Sequence, residues 1–137
     1  MVLFEHKNII RVSFEKENDL MIHEWFEYNP NGADDLILKI LQEIYDAFLE
    51  YGATKVLVVV DKTKGAFSPD MMKYIEETQF PRLASETQLK YVATVLNRED
   101  MSSRYAAIWE GQLARNERFI INDVSTEQEG RDWLAQF

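Results

Sequence analysis

The chain has 137 residues, a formal net charge of −9 and a sequence pI near 4.7. This length fits one domain spanning residues 1–137, and 46% hydrophobic residues are enough for a core. The negative charge argues against nucleic acid and anionic membrane surfaces as partners, because both bind clustered Lys and Arg. The absence of cysteine excludes disulfides, thiol chemistry and cysteine zinc sites.

The N-terminal sequence MVLFEHKNII has no basic segment followed by a long apolar run. We therefore expect no signal peptide. No run in the sequence reaches the roughly 18 apolar residues of a membrane-spanning helix, so we expect no membrane anchor. Both observations favour a cytoplasmic location.

The first predicted elements form a hairpin followed by a long helix. Apolar and polar residues alternate in Ile9–Phe14 and again in Leu20–Tyr28, and a short polar turn separates the two segments. This pattern predicts two antiparallel strands. After an Asn/Pro/Gly break, the helical spacing of apolar residues predicts a helix over Ala33–Tyr51, with Gly52 as its C-terminal stop.

The continuous apolar run Lys55–Val60 predicts a strand that is covered on both faces, as in the middle of an α/β sheet. Ser68 has the position of an N-cap, and Pro69 that of the first residue of a helix. Pro81 requires an end, a kink or a restart of that helix, because proline cannot donate a backbone hydrogen bond.

The remaining elements alternate between strand and helix. We predict a strand over Tyr91–Leu96, a helix capped by Ser102 or Ser103, and a short strand over Phe119–Asn122. A capping box at Thr126 opens the last helix. The order β-β-α-β-α-β-α-β-α predicts the α/β class, with a mostly parallel sheet, one antiparallel strand at its edge and flanking helices.

This pattern resembles the SpoIIAA-like family of the STAS superfamily, which is also labelled STAS/SEC14-like. The resemblance covers nearly the whole chain. It rests on the element order, the opening hairpin, the motif Asp61-Lys62-Thr63 after the Val-rich strand, and a last helix that contains Trp133 and Leu134. It implies a non-enzymatic module that binds a protein partner, while the SEC14-like label implies a small apolar, lipid-like ligand as the alternative.

One branch of the STAS superfamily, the anti-sigma-factor antagonists, carries a phosphorylated serine in an Asp-Ser-Ser-Gly-like turn after this strand. Here the corresponding segment reads Phe67-Ser68-Pro69-Asp70, so Ser68 occupies roughly the regulated position but the motif is missing. The chain departs from the family pattern at the residues that would carry the phosphorylation switch.

The loop after the Val-rich strand is the predicted contact region, because α/β folds place binding sites at the carboxyl ends of strands. Its candidate partner- or ligand-binding residues are Asp61, Lys62, Thr63, Lys64, Gly65 and Ser68. The simpler interpretation is that Ser68 only caps the helix and Asp61 only caps the loop. For the alternative apolar ligand, we predict a pocket between the sheet and the helix after Ser102, lined by Phe67, Met71, Met72 and Trp109.

No nucleophile elbow, phosphate loop or zinc motif is present, so we predict no catalytic residue and no cofactor. His6 and His23 have no second ligand at metal spacing, and we expect them to be structural or exposed rather than metal-binding. The aromatic group Trp25, Phe26 and Tyr28 is expected to cover the core, with a dimer interface or an apolar pocket as alternatives. The sequence leaves a homodimer open.

Overall fold

The computed structural model describes residues 1–28, 32–97 and 118–137. In these ranges the chain builds one six-stranded sheet in which the order of the strands is their order in the chain. The first two pairs of neighbours are antiparallel and the next three are parallel. The strands are β1 (Val2–His6), β2 (Ile10–Glu15), β3 (Leu20–Trp25), β4 (Lys55–Val59), β5 (Tyr91–Val95) and β6 (Ile120–Val124).

The helical elements cover both faces of this sheet. They are α1 (Asp34–Tyr51), α2 (Pro69–Tyr74), a π-helical turn (Ile75–Gln79), α3 (Phe80–Glu86) and α4 (Glu127–Leu134). We call the face that carries Met21 and Val56 the front face; it packs against α1, α2, the π turn and α3. The back face carries Leu20 and Leu57 and packs against α4. The prediction that the Val-rich strand is covered on both faces is therefore confirmed for β4.

The predicted antiparallel hairpin is confirmed as β2 and β3, which pair from Ile10 opposite Trp25 to Glu15 opposite Leu20. Residues of β2 alternate between buried and half-buried, as the sequence pattern predicts. A short 3-10 turn joins the two strands. The second strand ends at Trp25, three residues earlier than expected, because the chain turns from there toward the loop after β4.

The sequence analysis missed strand β1. It pairs antiparallel with β2, so β1 rather than the hairpin strand is the edge of the sheet, and the antiparallel part is larger than predicted. The link between the two strands is tight: the Ile9 N–H donates to the His6 carbonyl at 2.9 Å, and Asn8 has a φ of +67°. An edge strand buries little of either face, so β1 lacks the alternation of apolar residues that would have revealed it.

Capping residues end α1 and begin α4 at the predicted positions. Gly52 follows α1 with a φ of +64°, and its N–H donates to the Phe48 carbonyl at 3.0 Å. At the start of α4, the Glu129 N–H donates to the Thr126 hydroxyl at 3.1 Å. The Glu129 carboxylate in turn accepts from the Ser125 N–H, one residue before the position expected in a standard capping box.

The predicted interruption at Pro81 takes the form of the π turn. A proline at this position cannot donate to the carbonyl four residues earlier, and its ring would collide with that carbonyl. The chain widens just before it, so that the Phe80 N–H donates to the Ile75 carbonyl, five residues back. The helix then restarts as α3, with Pro81 in its first turn. The two short helices and the π turn thus form one continuous run over the front face.

The helix predicted after Ser102 or Ser103, including Trp109, lies outside the described residues. Among the helices of the described ranges, none has the length and apolar character needed to cross a membrane.

Helix α4 approaches the back face closely at Gly130. A Cβ atom built on this residue would lie 2.6 Å from Leu57 Cδ1 and 3.2 Å from Val124 Cγ2. Because Leu57 is completely buried, it has little room to move away. The absence of a side chain at Gly130 therefore allows α4 to rest directly on the sheet.

We predict that Gly130→Ala lowers the free energy of unfolding by roughly 1 kcal/mol. Overpacking typically costs about 1–3 kcal/mol, which exceeds the gain of up to about 1 kcal/mol from replacing a helical glycine. Urea denaturation measures the difference, with the exposed Gln128→Ala on the same helix as the control. The double variant with Leu57→Val should lose less stability than the sum of the two single variants, and simple additivity would contradict the proposed contact.

Candidate functional site

The loop from Asp61 to Ser68 is bound to the end of β3. The Thr63 hydroxyl donates to the Trp25 carbonyl at 2.7 Å, and Thr63 is buried. The Lys64 N–H donates to the Phe26 carbonyl, and the Lys64 carbonyl accepts from the Tyr28 N–H, both at 3.0 Å. These bonds extend the parallel pairing of β3 and β4 past the ends of the two strands.

The predicted contact residues of this loop do not share one environment. Lys62, Lys64 and Gly65 are exposed, while Asp61 is half-buried. The structure corrects the prediction for Thr63. Its side chain is buried and bonded to the backbone, so it does not lie on the surface that a partner would touch. The exposed charged side chains of the loop are therefore a pair of lysines on either side of a buried threonine.

Ser68 is the N-cap of α2, as predicted. Its Oγ accepts from the Met71 N–H at 3.2 Å and donates to Asp34 Oδ2 at 2.8 Å. The hydroxyl therefore connects the start of α2 to the start of α1 and has a complete structural explanation.

Two of the three aromatic residues near the end of β3 cover the core, as the sequence analysis favoured. Trp25 and Tyr28 are buried, whereas Phe26 is 37% exposed. The rings of Trp25 and Tyr28 pack around Phe67, with centroid distances to Phe67 of 5.4 and 4.7 Å. The loop thus contributes an aromatic side chain to the end of the core.

A cavity of about 90 Å³ lies between the front face of the sheet and the helices that cover it. We call it the front cavity. Among the described residues, most of its lining is aliphatic or aromatic. The lining residues are His23, Trp25, Tyr28, Leu41, Ile44, Phe48, Val56, Val58, Val60, Ile75, Gln79, Phe80, Leu83, Leu89, Val92 and Thr94.

The residues predicted for an apolar pocket occupy other positions. Phe67 and Met71 are buried in the front core, and Met72 is partly buried against it. None of these three lines the front cavity. Trp109 lies outside the described residues.

His23 is a buried polar side chain in the lining of the front cavity. It is 6% exposed, its ring lies edge-on to Phe48 at 5.6 Å, and its Nε2 has no hydrogen-bond partner. Burial lowers the pKa of His23 from its usual 6.5 to about 3, so the imidazole is neutral at pH 7. An unsatisfied buried polar group of this kind costs about 1–3 kcal/mol of stability.

Gln79 also lines the front cavity, but its side chain binds neighbouring groups. Its Nε2 donates to the Leu41 carbonyl of α1 at 3.0 Å, and its Oε1 accepts two bonds from Arg82. Arg82 donates in addition to Gln42 at 3.0 Å, and its guanidinium lies 4.1 Å from the centre of the Tyr45 ring. These contacts bind the π turn and α3 to α1 at the border of the cavity.

A polar groove of about 540 Å³ lies at the amino-terminal ends of β3 and β4. Arg131 of α4 makes two bonds of 2.8 Å to the Glu15 carboxylate, and this pairing lowers the pKa of Glu15 to about 2. Asp19 accepts from both the N–H and the hydroxyl of Thr54. The carboxylates of Glu15 and Asp19 therefore have hydrogen-bond partners here, unlike Nε2 of His23 in the front cavity.

Neither histidine belongs to a metal site in the described part of the chain. Within those ranges no group of three His, Asp or Glu side chains could hold a metal ion. His6 lies half-buried near the surface, where its Nε2 is 3.0 Å from Glu43 Oε2. His23 is surrounded by the front core.

The sequence analysis did not identify His23 or Gln79 as site residues. His23 was visible in the sequence as a titratable residue that alternates on a strand with Trp25, but it was expected to be structural or exposed. Gln79 gave no signal, because its position depends on the π turn. Comparisons with family models, with curated proteins and with solved structures gave no significant match.

We predict that His23 makes the stability of the fold depend on pH. The unfolded chain takes up a proton on this residue near pH 6.5, whereas the folded chain does so only near pH 3. The free energy of unfolding should therefore fall as pH is lowered through this window, with a slope approaching about 1.4 kcal/mol per pH unit.

Urea denaturation between pH 6.5 and 5 measures this effect above the range in which Glu15, with its pKa lowered to about 2, takes up a proton in the folded chain. His23→Phe should remove most of the slope, and His6→Phe, the matched control, should retain it. A slope that survives in His23→Phe and disappears in His6→Phe would contradict the assignment.

Proposed function

We propose that this protein is a non-enzymatic binding module that holds a small, mostly apolar molecule in the front cavity, as a carrier or a sensor. The observation that supports this most directly is the cavity itself, with a mainly hydrocarbon lining against the central strands. Well-packed interiors contain few voids larger than a water molecule. A space of about 90 Å³ at the centre of the front core is therefore unusual for a side-chain core without a further role.

The size of the front cavity limits the ligand. An engineered apolar cavity of about 150 Å³ stays dry and binds benzene. The front cavity is smaller, at about 90 Å³, and limits the ligand to about four or five non-hydrogen atoms. For a ligand of this size we expect a dissociation constant on the order of 1 mM, because the apolar area that it buries is small.

Val58 offers the sharpest test, because this residue of β4 lines the front cavity. We predict that cyclopentane binds the wild-type protein and shifts the methyl NMR signals of the cavity residues. Val58→Phe should fill the space and weaken this binding at least tenfold.

The adjacent variant Val59→Phe is the matched control, since Val59 packs on the back face and is half-buried like Val58. It should leave cyclopentane binding intact if it folds. Equal cyclopentane binding by Val58→Phe, or no binding by the wild type, would contradict the proposed function.

We propose as a second candidate a STAS-like regulatory module that binds a protein partner through the loop after β4. Lys62 and Lys64 support it: both are exposed, and the bonds on either side hold this loop in one conformation. Two positive side chains on this loop favour the binding of an acidic partner. The hairpin and the alternation of strand and helix that follow it are compatible with a STAS-like topology.

We predict that Lys64→Glu reduces affinity capture of a partner from an extract of the source cells severalfold, because it reverses a charge at the proposed contact. Lys73→Glu, on the exposed side of α2, is the control with the same charge change. Equal capture by both variants and by the wild type would argue against this surface.

A further inference from the structure

We infer that the ligand of the front cavity is a neutral molecule with one hydrogen-bonding group, such as a hydroxyl, which pairs with the imidazole of His23. This inference rests on the proposed function and deepens it, because it assigns the chemical class of the ligand. His23 is then the residue that determines specificity.

The position of His23 in the sheet supports this assignment. In the register of the three central strands, His23 of β3 lies beside Val58 of β4, and Val58 lies beside Thr94 of β5. All three residues line the cavity. A small molecule above Val58 therefore has hydrocarbon beneath it and the imidazole one strand away, roughly 5 Å across the sheet.

The surroundings of the His23 ring also leave Nε2 available for such a bond. Its Nε2 is buried without a hydrogen-bond partner, and Phe48 packs against the ring. A neutral imidazole has one nitrogen that donates and one that accepts. A hydroxyl both donates and accepts, so it can pair with Nε2 in either tautomer.

The surroundings of His23 favour a neutral ligand over a charged one. The burial that lowers the pKa of the imidazole to about 3 opposes any charge at this place. A carboxylate or an ammonium group would meet the same opposition. Gln79, the amide in the lining, already bonds to Leu41 and Arg82 and keeps the covering helices in position.

Three probes with five non-hydrogen atoms each test the inference: cyclopentane, cyclobutanol and cyclobutylammonium. Methyl NMR titration gives the dissociation constants for the wild type and for His23→Phe. We expect the ratio of cyclobutanol to cyclopentane affinity to fall about tenfold in His23→Phe, the size of one buried hydrogen bond. His6→Phe should leave the ratio unchanged, and cyclobutylammonium should bind the wild type at least about a hundredfold more weakly than cyclobutanol.

The outcomes distinguish a failure of this inference from a failure of the proposed function. If cyclopentane binds and the ratio is the same in His23→Phe, the inference is overturned while the proposed function stands. If cyclopentane does not bind the wild type, the proposed function fails, and the inference that rests on it fails as well.

A measurement on the unchanged ring covers the case in which His23→Phe does not fold. In His6→Phe the chain has one imidazole, and its ¹⁵N chemical shifts report directly on His23. We expect cyclobutanol to shift them and cyclopentane to leave them nearly in place. Equal shifts with both probes would overturn the inference.

Discussion

The central strands of the sheet carry apolar side chains on both faces, and this constraint determines what every helix has to do. Both faces of strand β4 are almost entirely apolar, so helices must cover each of them. The two coverings differ. On the back face, Gly130 lets α4 touch the sheet directly. On the front face, several short elements share the task, and the cavity lies between them and the strands.

The elements over the front face are bound mainly to one another at the border of the cavity. Pro81 prevents a regular helix, the chain widens into the π turn, and this places Gln79 where it can reach the carbonyl of Leu41. Arg82 adds bonds to Gln79 and to Gln42 of α1. A π turn frequently occurs at a functional site. Here it positions the Gln79 amide, which binds the short elements over the front face to α1 on the same face. Most of the side chains that face the cavity are hydrocarbon.

The features that were predictable from the sequence are those that local chemistry decides. Alternation revealed β2, an unbroken apolar run revealed β4, and the N-caps Ser68 and Thr126 were placed correctly, because each depends on residues a few positions apart. The resemblance to STAS proteins remains a prediction. Strand β1 was missed because it has no buried face of its own.

The residues of the site depend on contacts that the sequence does not display. Thr63 became structural because the end of β3 presents the Trp25 carbonyl to it, 38 residues earlier in the chain. Ser68 also bonds to Asp34, which depends on how α1 and α2 meet. His23 differs from an ordinary core residue only because its Nε2 lacks a partner, and no spacing of residue types reveals an absent hydrogen bond.

The order of the strands has a consequence for how the fold is assembled. Since every strand pairs with its neighbours in sequence, the sheet can grow from β1 as the chain leaves the ribosome, and each new strand finds its edge already formed. The pairing of Glu15 with Arg131 is different, because 116 residues separate them. It can form only when α4 is complete, so it joins the first hairpin to the last helix as a late step of folding.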